Sequence, residues 1–229
     1  MQVALVTGAR TGIGAEIARH LLAHGYPVAG CSRRPAEWQH ARYRHFALDV
    51  TDEAAVLRMF RALRQEHGRL DALVNCAGIA AMNHALLTPM ETVERLLRTN
   101  VAATFLCARE AAKLMRGGGR IVNLSSVAVP LALEGEAAYA ASKAAVETLT
   151  RVLARELARL GITVNAIGPT PVRTDLIAGV PEDALQRLVA RQAIPRFGEM
   201  RDVCNVVDFF LQAGSDFVTG QVLYLGGVS

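Results

Sequence analysis

The sequence has little lysine, few aromatic residues and no closely spaced cysteines. Only Lys113 and Lys143 among its 25 basic residues are lysines, and aromatic residues make up 5% of the chain. Basic residues are not interleaved with aromatic ones, so a nucleic-acid partner is not expected. No C-x-x-C spacing is present, which excludes a disulfide or zinc framework and is typical of a reduced, cytoplasmic protein. The four scattered cysteines are Cys31, Cys76, Cys107 and Cys204.

Long apolar runs are also missing. None approaches the ~18 residues of a membrane span, and the N-terminus lacks the basic region of a signal peptide, so no membrane association is expected. Hydrophobic residues are nevertheless 52% of the 229 residues, enough for a substantial core. The net charge of +4 suits an acidic protein or a phosphorylated small molecule as partner.

A glycine-rich turn, T-G-A-R-T-G-I-G, follows the first predicted strand at residues 3–7 and precedes a predicted amphipathic helix at 12–24. Backbone N–H groups at such a helix N-terminus can bind a pyrophosphate, and glycine permits close approach. The spacing is G-x-x-x-G-x-G and not G-x-G-x-x-G, and an ordinary strand-to-helix turn is the alternative. The expected cofactor contacts here are Gly8, Arg10, Thr11, Gly12, Ile13 and Gly14.

The second predicted strand, residues 27–31, is followed by Ser32, Arg33 and Arg34. An NAD site usually has an acid about 20 residues beyond the glycine turn, for the ribose hydroxyls. Arginine forks suit a 2′-phosphate instead, so the sequence predicts NADP(H), with Arg10 adding to the pocket and Glu37 too distant to interfere. NAD(H) is the alternative if the arginines are solvated loop charges.

Polar residues also follow the next two predicted strands. Residues 45–50 end in Asp49-Val50. Asp49 either bonds the adenine amino group, with Val50 against the ring, or caps the next helix together with Asp52. Residues 71–75 end at Asn75, which can tie neighbouring strands together, and Gly78 beyond it lets a cofactor ribose lie close.

Tyr139 and Lys143 are four residues apart in a segment rich in helix formers, so they are expected on one helix face. A tyrosine pKa lies near ~10, and a neighbouring ammonium favours the phenolate. The pair could exchange a proton with a substrate oxygen. A surface helix with an incidental Tyr and Lys is the alternative.

Two more polar residues have two interpretations each. Asn100, within a predicted helix at 91–115, is either a satisfied core amide or a water-binding group. Ser126, after a predicted strand at 120–125, is either a cap or a site residue.

Strands and helices alternate throughout, with no linker or repeat, so residues 1–229 are predicted to form one domain with a parallel sheet. The remaining predicted elements are helices at 53–67, 181–192 and 201–212, a short helix capped by Thr174, and strands at 162–168 and 221–225.

Taken in order, these motifs resemble the short-chain dehydrogenase/reductase family over essentially the whole chain. They are T-G-A-R-T-G-I-G, Asp49-Val50, N-C-A-G, Asn100, Ser126, Y-A-A-S-K and V-N-A-I-G-P. The resemblance implies an α/β fold of the Rossmann type, doubly wound, with a seven-stranded parallel sheet flanked by helices on both faces. It implies no metal.

The resemblance also assigns roles. Tyr139 is the general acid/base, Lys143 holds the nicotinamide ribose and lowers the tyrosine pKa, Ser126 contacts the substrate carbonyl, and Asn100 binds a proton-relay water. The further implied cofactor contacts are Val50, Ala77, Pro169, Val172 and Thr174. Cys76 and Thr170 depart from the family's usual Asn and Gly.

Within the family the chain is most similar to 3-oxoacyl-[acyl-carrier-protein] reductases, in its small size, T-D-L loop and closing T-G-Q-V-L-Y. The expected reaction is NADPH-dependent reduction of a 3-oxoacyl thioester to a secondary alcohol. The alternatives are an NAD(P)-dependent dehydrogenase of a small alcohol, sugar alcohol or specialised-metabolite ketone, and a non-catalytic nucleotide sensor.

Partners follow from the same resemblance. An acyl carrier protein could dock on Arg116, Arg155 and Arg159, because Leu160 replaces a residue that is often basic. A homotetramer or homodimer is expected through the helices at 91–115 and 146–160. The residues expected to line the substrate site, at 80–87, 131–136 and 172–191, are mostly apolar or small, which suggests an uncharged or acyl-like substrate.

Overall fold

The computed structural model describes residues 2–228. The strands are β1 (Ala4–Thr7), β2 (Val28–Ser32), β3 (Tyr43–Ala47), β4 (Ala72–Asn75), β5 (Gly119–Leu124), β6 (Ile162–Gly168) and β7 (Val222–Tyr224). The α-helices are α1 (Gly12–Ala23), α2 (Glu53–His67), α3 (Met90–Leu96), α4 (Ala103–Ala112), α5 (Ala128–Leu131), α6 (Ala137–Leu157), α7 (Glu182–Val189) and α8 (Met200–Leu211). No helix within this range has both the length and the apolar character needed to cross a bilayer.

The seven strands form one parallel sheet in the order β3-β2-β1-β4-β5-β6-β7. The predicted doubly wound fold is confirmed. The order reverses between β1 and β4, and ligands of such sheets bind at the carboxyl ends of the strands at that point. The register pairs Thr7 with Asn75, so the glycine-rich turn and the C-A-G segment leave the sheet side by side.

Helices cover both faces of the sheet because successive strand residues point to opposite sides. Leu5 and Leu73 pack with α2, α4 and α6 on one face. Val6 and Val74 pack with α1 and α8 on the other face, where Phe210 is 1% exposed. Strands buried on both faces explain the short, continuous apolar runs in the sequence.

The third strand is Tyr43–Ala47, which begins and ends earlier in the chain than the predicted residues 45–50. The carboxylate of Asp49 accepts hydrogen bonds from the Thr51 backbone and hydroxyl, both at 2.8 Å. This local turn draws the backbone away from the sheet. Asp52, and not Asp49, caps α2, by accepting from the Ala55 N–H at 3.1 Å.

The helical stretch predicted at 91–115 is present over Met90–Ala112, but it is not α-helical throughout. Helix α3 passes into a π-helical segment, Leu97–Ala102, before α4 begins, and α4 ends at Ala112. Such wider turns are frequent at functional sites. Here the segment carries Asn100, which is 1% exposed and lies against the loop that follows β4.

Candidate active site

The turn after β1 forms an open cradle. Gly8 and Gly12 have positive φ angles of 71° and 60°, which glycine adopts at no steric cost. A Cβ on Gly8 would lie 2.9 Å from the Ala77 nitrogen, so the two loops meet there only without a side chain. Thr11 makes no side-chain cap and the first turn of α1 has no acid, so its N–H groups and its positive dipole end are available to an anion.

Ser32, the last residue of β2, and the two arginines that follow it lie at the other end of the cleft. Ser32 Oγ donates to the Arg34 carbonyl at 2.6 Å and lies 2.9 Å from His45 Nε2. Arg33 and Arg34 are exposed and line the cleft, and among the described residues neither makes an ion pair. Unpaired guanidinium groups at this position are suited to a phosphate.

Arg10 already has an ion-pair partner, although the sequence predicted that it would add its charge to the phosphate pocket. Its guanidinium pairs with Glu37, which was expected to be too far along the loop to reach the site. The loop after β2 folds back over the glycine turn and carries the acid with it. Arg10 still lines the cleft, but its charge is shared with a carboxylate that is itself largely exposed.

Asn75 does not reach the cleft. Its side-chain amide donates to Asn123 Oδ1 at 2.9 Å, and Asn123 in turn donates to Thr150 Oγ1 at 2.9 Å. This buried row ties β4 to β5 and α6, as one of the two predicted roles requires. The direct cofactor contact predicted for Asn75 is not supported by its position.

Asn100 holds the backbone of the loop after β4. Its Oδ1 accepts from the Ile79 N–H at 2.9 Å, and its Nδ2 donates to the Ile79 carbonyl at 3.0 Å and to Ser142 Oγ at 2.9 Å. The side chain is therefore a fully bonded core amide. Its role with a proton-relay water stays a prediction.

Three of the predicted catalytic residues meet on the cleft wall. Ser126, Tyr139 and Lys143 all line it, and Tyr139 and Lys143 are 9% and 7% exposed. One turn of α6 separates the tyrosine from the lysine, whose Nζ lies 5.9 Å from the tyrosine ring centroid. The Lys143 ammonium donates to the Leu124 carbonyl at 2.8 Å, which fixes it at the end of β5.

Burial dominates the protonation of this pair. Removal from water raises the pKa of Tyr139 to about 12, the Ser126 hydroxyl opposes this, and the Glu136 carboxylate adds to it. Burial also lowers the pKa of Lys143 to about 8. The lowering of the tyrosine pKa expected from Lys143 is not seen in this structure: desolvation is the largest influence, and the lysine is not among the groups that shift the pKa of Tyr139. At neutral pH Tyr139 is a proton donor.

The cleft wall is more charged than the sequence suggested. The segments predicted to line the substrate site contribute Glu134, Glu136, Arg187 and Arg191 beside small and apolar residues, and Arg95 and Arg98 also line the cleft. Glu136 is half-buried, burial raises its pKa, and among the described residues its carboxylate has no hydrogen-bond or ion-pair partner. Its position three residues before Tyr139 was the available signal, and sequence reasoning did not use it.

The cleft has a volume of about 2250 Å³. A drug-sized ligand needs ~300–1,000 Å³, so this space has room for a dinucleotide and a substrate together. Every predicted site residue lines it except Asn75 and Asn100. The uncapped helix N-terminus, the glycine cradle and the unpaired arginines fit a nicotinamide dinucleotide phosphate.

Comparisons with known proteins agree with this geometry. A family described as enoyl-(acyl carrier protein) reductase matches residues 8–228. A short-chain type dehydrogenase/reductase of Picea abies is 35% identical, with 99% of this chain and 91% of that protein covered. The 3-oxoacyl-[acyl-carrier-protein] reductase of Escherichia coli is 32% identical, with 99% and 96% covered.

A solved structure of an actinorhodin polyketide ketoreductase with NADPH superposes with a TM-score of 0.89 at 33% identity. It covers 99% of this chain and 96% of that one. The sheet order, the cleft at its switch point and near full-length similarity lead to one conclusion. The chain belongs to the short-chain dehydrogenase/reductase family of oxidoreductases.

Proposed function

We propose that the protein reduces a ketone to a secondary alcohol with NADPH, and that the ketone is a 3-oxoacyl thioester carried by acyl carrier protein or coenzyme A. The observation that carries the proposal is the convergence of Ser126, Tyr139 and Lys143 at one end of a cleft whose other end holds Arg33 and Arg34.

The residues divide the work of carbonyl reduction. A bound reduced nicotinamide supplies the hydride for the carbonyl carbon. Ser126 donates a hydrogen bond that orients the carbonyl oxygen. Tyr139 supplies the proton to that oxygen, and its pKa of about 12 keeps it protonated until then. The Lys143 ammonium, fixed by the Leu124 carbonyl, provides positive charge beside the phenolate that forms.

The preference for the phosphorylated cofactor is supported by charge. No described carboxylate pairs with Arg33 or Arg34, and Ser32 adds a hydroxyl at the same place. The NADPH in the actinorhodin ketoreductase structure and the sequence similarity to that protein support the same choice. NAD(H) is the alternative cofactor.

The acyl thioester is supported by the Escherichia coli relative and by the volume of the cleft, which leaves room for a substrate beside the dinucleotide. Glu136 and the arginines of the cleft wall favour a substrate with polar groups. The alternative function is therefore that of an NAD(P)-dependent dehydrogenase acting on a small alcohol or a specialised-metabolite ketone. A non-catalytic nucleotide sensor is disfavoured, because the catalytic side chains line the cleft.

For a carrier protein we propose a docking surface other than the predicted one at Arg116, Arg155 and Arg159. Arg155 and Arg159 are exposed near the C-terminal end of α6, and Arg116 is exposed just before β5 begins. Lys143 and Arg159 are separated by about 24 Å along the helix direction. These arginines lie toward the amino ends of the strands, whereas the cleft is at the carboxyl ends. The arginines of the cleft wall are the better docking surface.

The cellular setting is part of the same proposal. We infer a cytoplasmic protein from its free, unpaired cysteines.

The test is oxidation of NADPH, followed by its near-ultraviolet absorbance, with a short 3-oxoacyl thioester and with simple ketones and steroid ketones in parallel. Turnover of the thioester alone supports the proposal. Turnover of only the simple or steroid ketones overturns the substrate assignment. Tyr139→Phe should lower kcat by at least about 100-fold with NADPH binding retained, since only the proton donor is removed.

The cofactor preference has its own test. Replacing Arg33 and Arg34 together with Ala should raise the KM for NADPH at least about tenfold and leave the KM for NADH nearly unchanged. Arg44→Ala is the matched control, because Arg44 pairs with Glu66 outside the cleft. A wild-type enzyme that uses NADH better than NADPH contradicts the assignment.

A further inference from the structure

We propose that His20, His24 and Asp208 form a binding site for a divalent transition-metal ion, best matched by zinc, on the face where α1 packs against α8. The site is separate from the cleft and does not depend on the proposed function.

The three side chains already face one another. His20 and His24 are four residues apart on α1, with ring centroids 4.2 Å apart. Asp208 reaches them from α8, and its two oxygens lie 2.9 and 2.8 Å from His20 Nε2. One ligand atom from each residue lies within 4.8 Å of the others. Tetrahedral zinc places its ligand atoms about 3.4 Å apart, so side-chain shifts of about 1 Å complete the geometry.

The histidines are held in useful orientations. The Nδ1 of His24 lies 2.9 Å from the His20 carbonyl, an arrangement that places the proton on Nδ1 and leaves the Nε2 lone pair free. Metal-binding histidines are commonly oriented by such a bond from the second ring nitrogen to a backbone carbonyl. His20 would bind the ion through Nε2. Its present contact with the Asp208 carboxylate would be replaced by a metal ion that both side chains bind.

The charge balance also favours a cation. Among the described residues the only ion-pair partner of Asp208 is His20, whose side chain is 21% exposed. Two other partly buried acids of this arginine-rich chain pair with fixed cations, Glu110 with Lys113 and Asp202 with Arg196. Glu16 on the same helix is paired with Arg19. Two imidazoles and one carboxylate form a nitrogen and oxygen set that suits zinc, nickel or copper more than magnesium or calcium.

The position indicates what the ion would do. Helix α1 begins at the glycine-rich turn, and His24 lies about 18 Å along it from Gly12 at 1.5 Å per residue. A metal ion there would link the far end of α1 to α8 without entering the cleft. It would stabilise the fold and leave the chemistry of Tyr139 untouched.

The experiment uses the full chain with any affinity tag removed and with metal stripped by a chelator. Zinc binding is measured by calorimetry, and cobalt(II) absorption reports the coordination geometry. One equivalent should bind with micromolar affinity. The thermal midpoint should rise by about 5 °C or more at saturating zinc, because the ion binds only the folded chain.

Variants then locate the site. His24→Ala is the main variant, because His24 is exposed and its loss should not impair folding. It and Asp208→Asn should each weaken zinc binding at least about tenfold. His67→Ala is the matched control: His67 also lies beside an acid, Glu66, at 3.6 Å, but has no second histidine one turn away.

The outcomes separate clearly. Weakened binding in the His24 and Asp208 variants with an unchanged His67 variant supports the site. Absence of zinc binding by the wild type at micromolar concentrations, or equal affinity in all variants, overturns it. Because binding and melting are measured without substrate, failure of the reductase assay would not affect either result.

Discussion

Tyr139 shows how one residue's chemistry depends on its immediate neighbours. Burial raises its pKa, contact with the Ser126 hydroxyl lowers it, and the Glu136 carboxylate raises it further. A nearby negative charge disfavours the phenolate, so removal of that charge should lower the tyrosine pKa. In the direction of alcohol oxidation the phenolate is the active form. Glu136→Gln should therefore move the rise of kcat/KM with pH to lower pH.

A neighbouring acid provides the control for this pH profile. Glu134 also lines the cleft but is exposed and is not among the influences on Tyr139. Glu134→Gln should leave the profile of oxidation rate against pH in place. An equal shift of the pH profile in both variants, or no shift in either variant, would contradict the assignment of the effect to Glu136.

Asn100 has a role in stability that can be measured separately from any catalytic role. Asn100→Ala would leave the Ile79 N–H and carbonyl and the Ser142 hydroxyl without their partner. Buried unsatisfied groups cost about 1–3 kcal/mol each, so the free energy of unfolding should fall by about 2–4 kcal/mol in urea titrations. Asn83→Ala, at an exposed position, should change it by less than about 0.5 kcal/mol.

Residue-level prediction from sequence was good where a side chain acts with a neighbour on its own helix. The spacing of Tyr139 and Lys143 placed both on the cleft wall. It was poor where tertiary contact decides the outcome. The pairing of Glu37 with Arg10 depends on how a loop folds back, and local spacing carries no information on that.

At the scale of single elements, α8 begins with a reciprocal cap. The Asp202 carboxylate accepts hydrogen bonds from Arg196 at 2.7 and 3.0 Å and from the Glu199 N–H at 2.8 Å. These bonds lower the pKa of Asp202 to about 2. The folded state therefore favours the ionised carboxylate. The ionised Asp202 carboxylate stabilises the folded protein at pH values above its ordinary pKa of 3.8, and this stabilisation is lost as the pH falls toward about 2.

Asp202→Asn tests this cap. The variant should be about 1 kcal/mol less stable than the wild type at pH ~7, and the difference should narrow below pH ~4, when measured by urea unfolding. Glu94→Gln, on the exposed face of α3, should behave as the wild type at both pH values. If the difference in unfolding free energy between the wild type and the variant did not change with pH, the stabilisation by Asp202 would not depend on its charge.

Some elements are encoded locally and others are not. Helix α2 and strand β6 have the predicted bounds, because Asp52 and Gly68 mark the ends of α2 and β6 is a continuous buried run. The π-helical segment between α3 and α4 was not predicted. It accompanies the bonds of Asn100 to Ile79, which is distant in sequence, so helix propensity along residues 91–115 gave no sign of it.

At the scale of the whole molecule, two helices on one side expose apolar side chains. Phe105 on α4 and Val152 on α6 are 43% and 46% exposed, with Leu97 at 43% nearby in the chain. We expect a second copy of the chain to cover these helices, as the family resemblance implies. Phe105→Asp should reduce a dimer or tetramer to a smaller species in light scattering coupled to size exclusion.

A second exposed leucine controls for the general effect of added charge. Leu86, 89% exposed on the loop before α3, is away from these helices in sequence, and Leu86→Asp should leave the assembly intact. A monomeric wild type, or an unchanged assembly in the Phe105 variant, would contradict the expected interface.

The overall architecture was predictable because alternating strands and helices in a parallel sheet allow few topologies. The substrate was not. The wall residues come from separate segments of the chain, and which charges they bring to one cleft, among them Glu136 and Arg191, is set only when those segments meet.

The central place of β1 in the sheet has a consequence for how the protein is made. Ala4 pairs with Val28 on one side and with Ala72 on the other, so β1, which is synthesised before both of these partners, cannot be enclosed until β4 has followed. Ala77, which closes against Gly8, is made later still. Pairings this distant in sequence slow folding, to roughly milliseconds or seconds in small domains. During translation the apolar edge of β1 is exposed to other chains, and the growing protein is then most open to aggregation and to capture by chaperones.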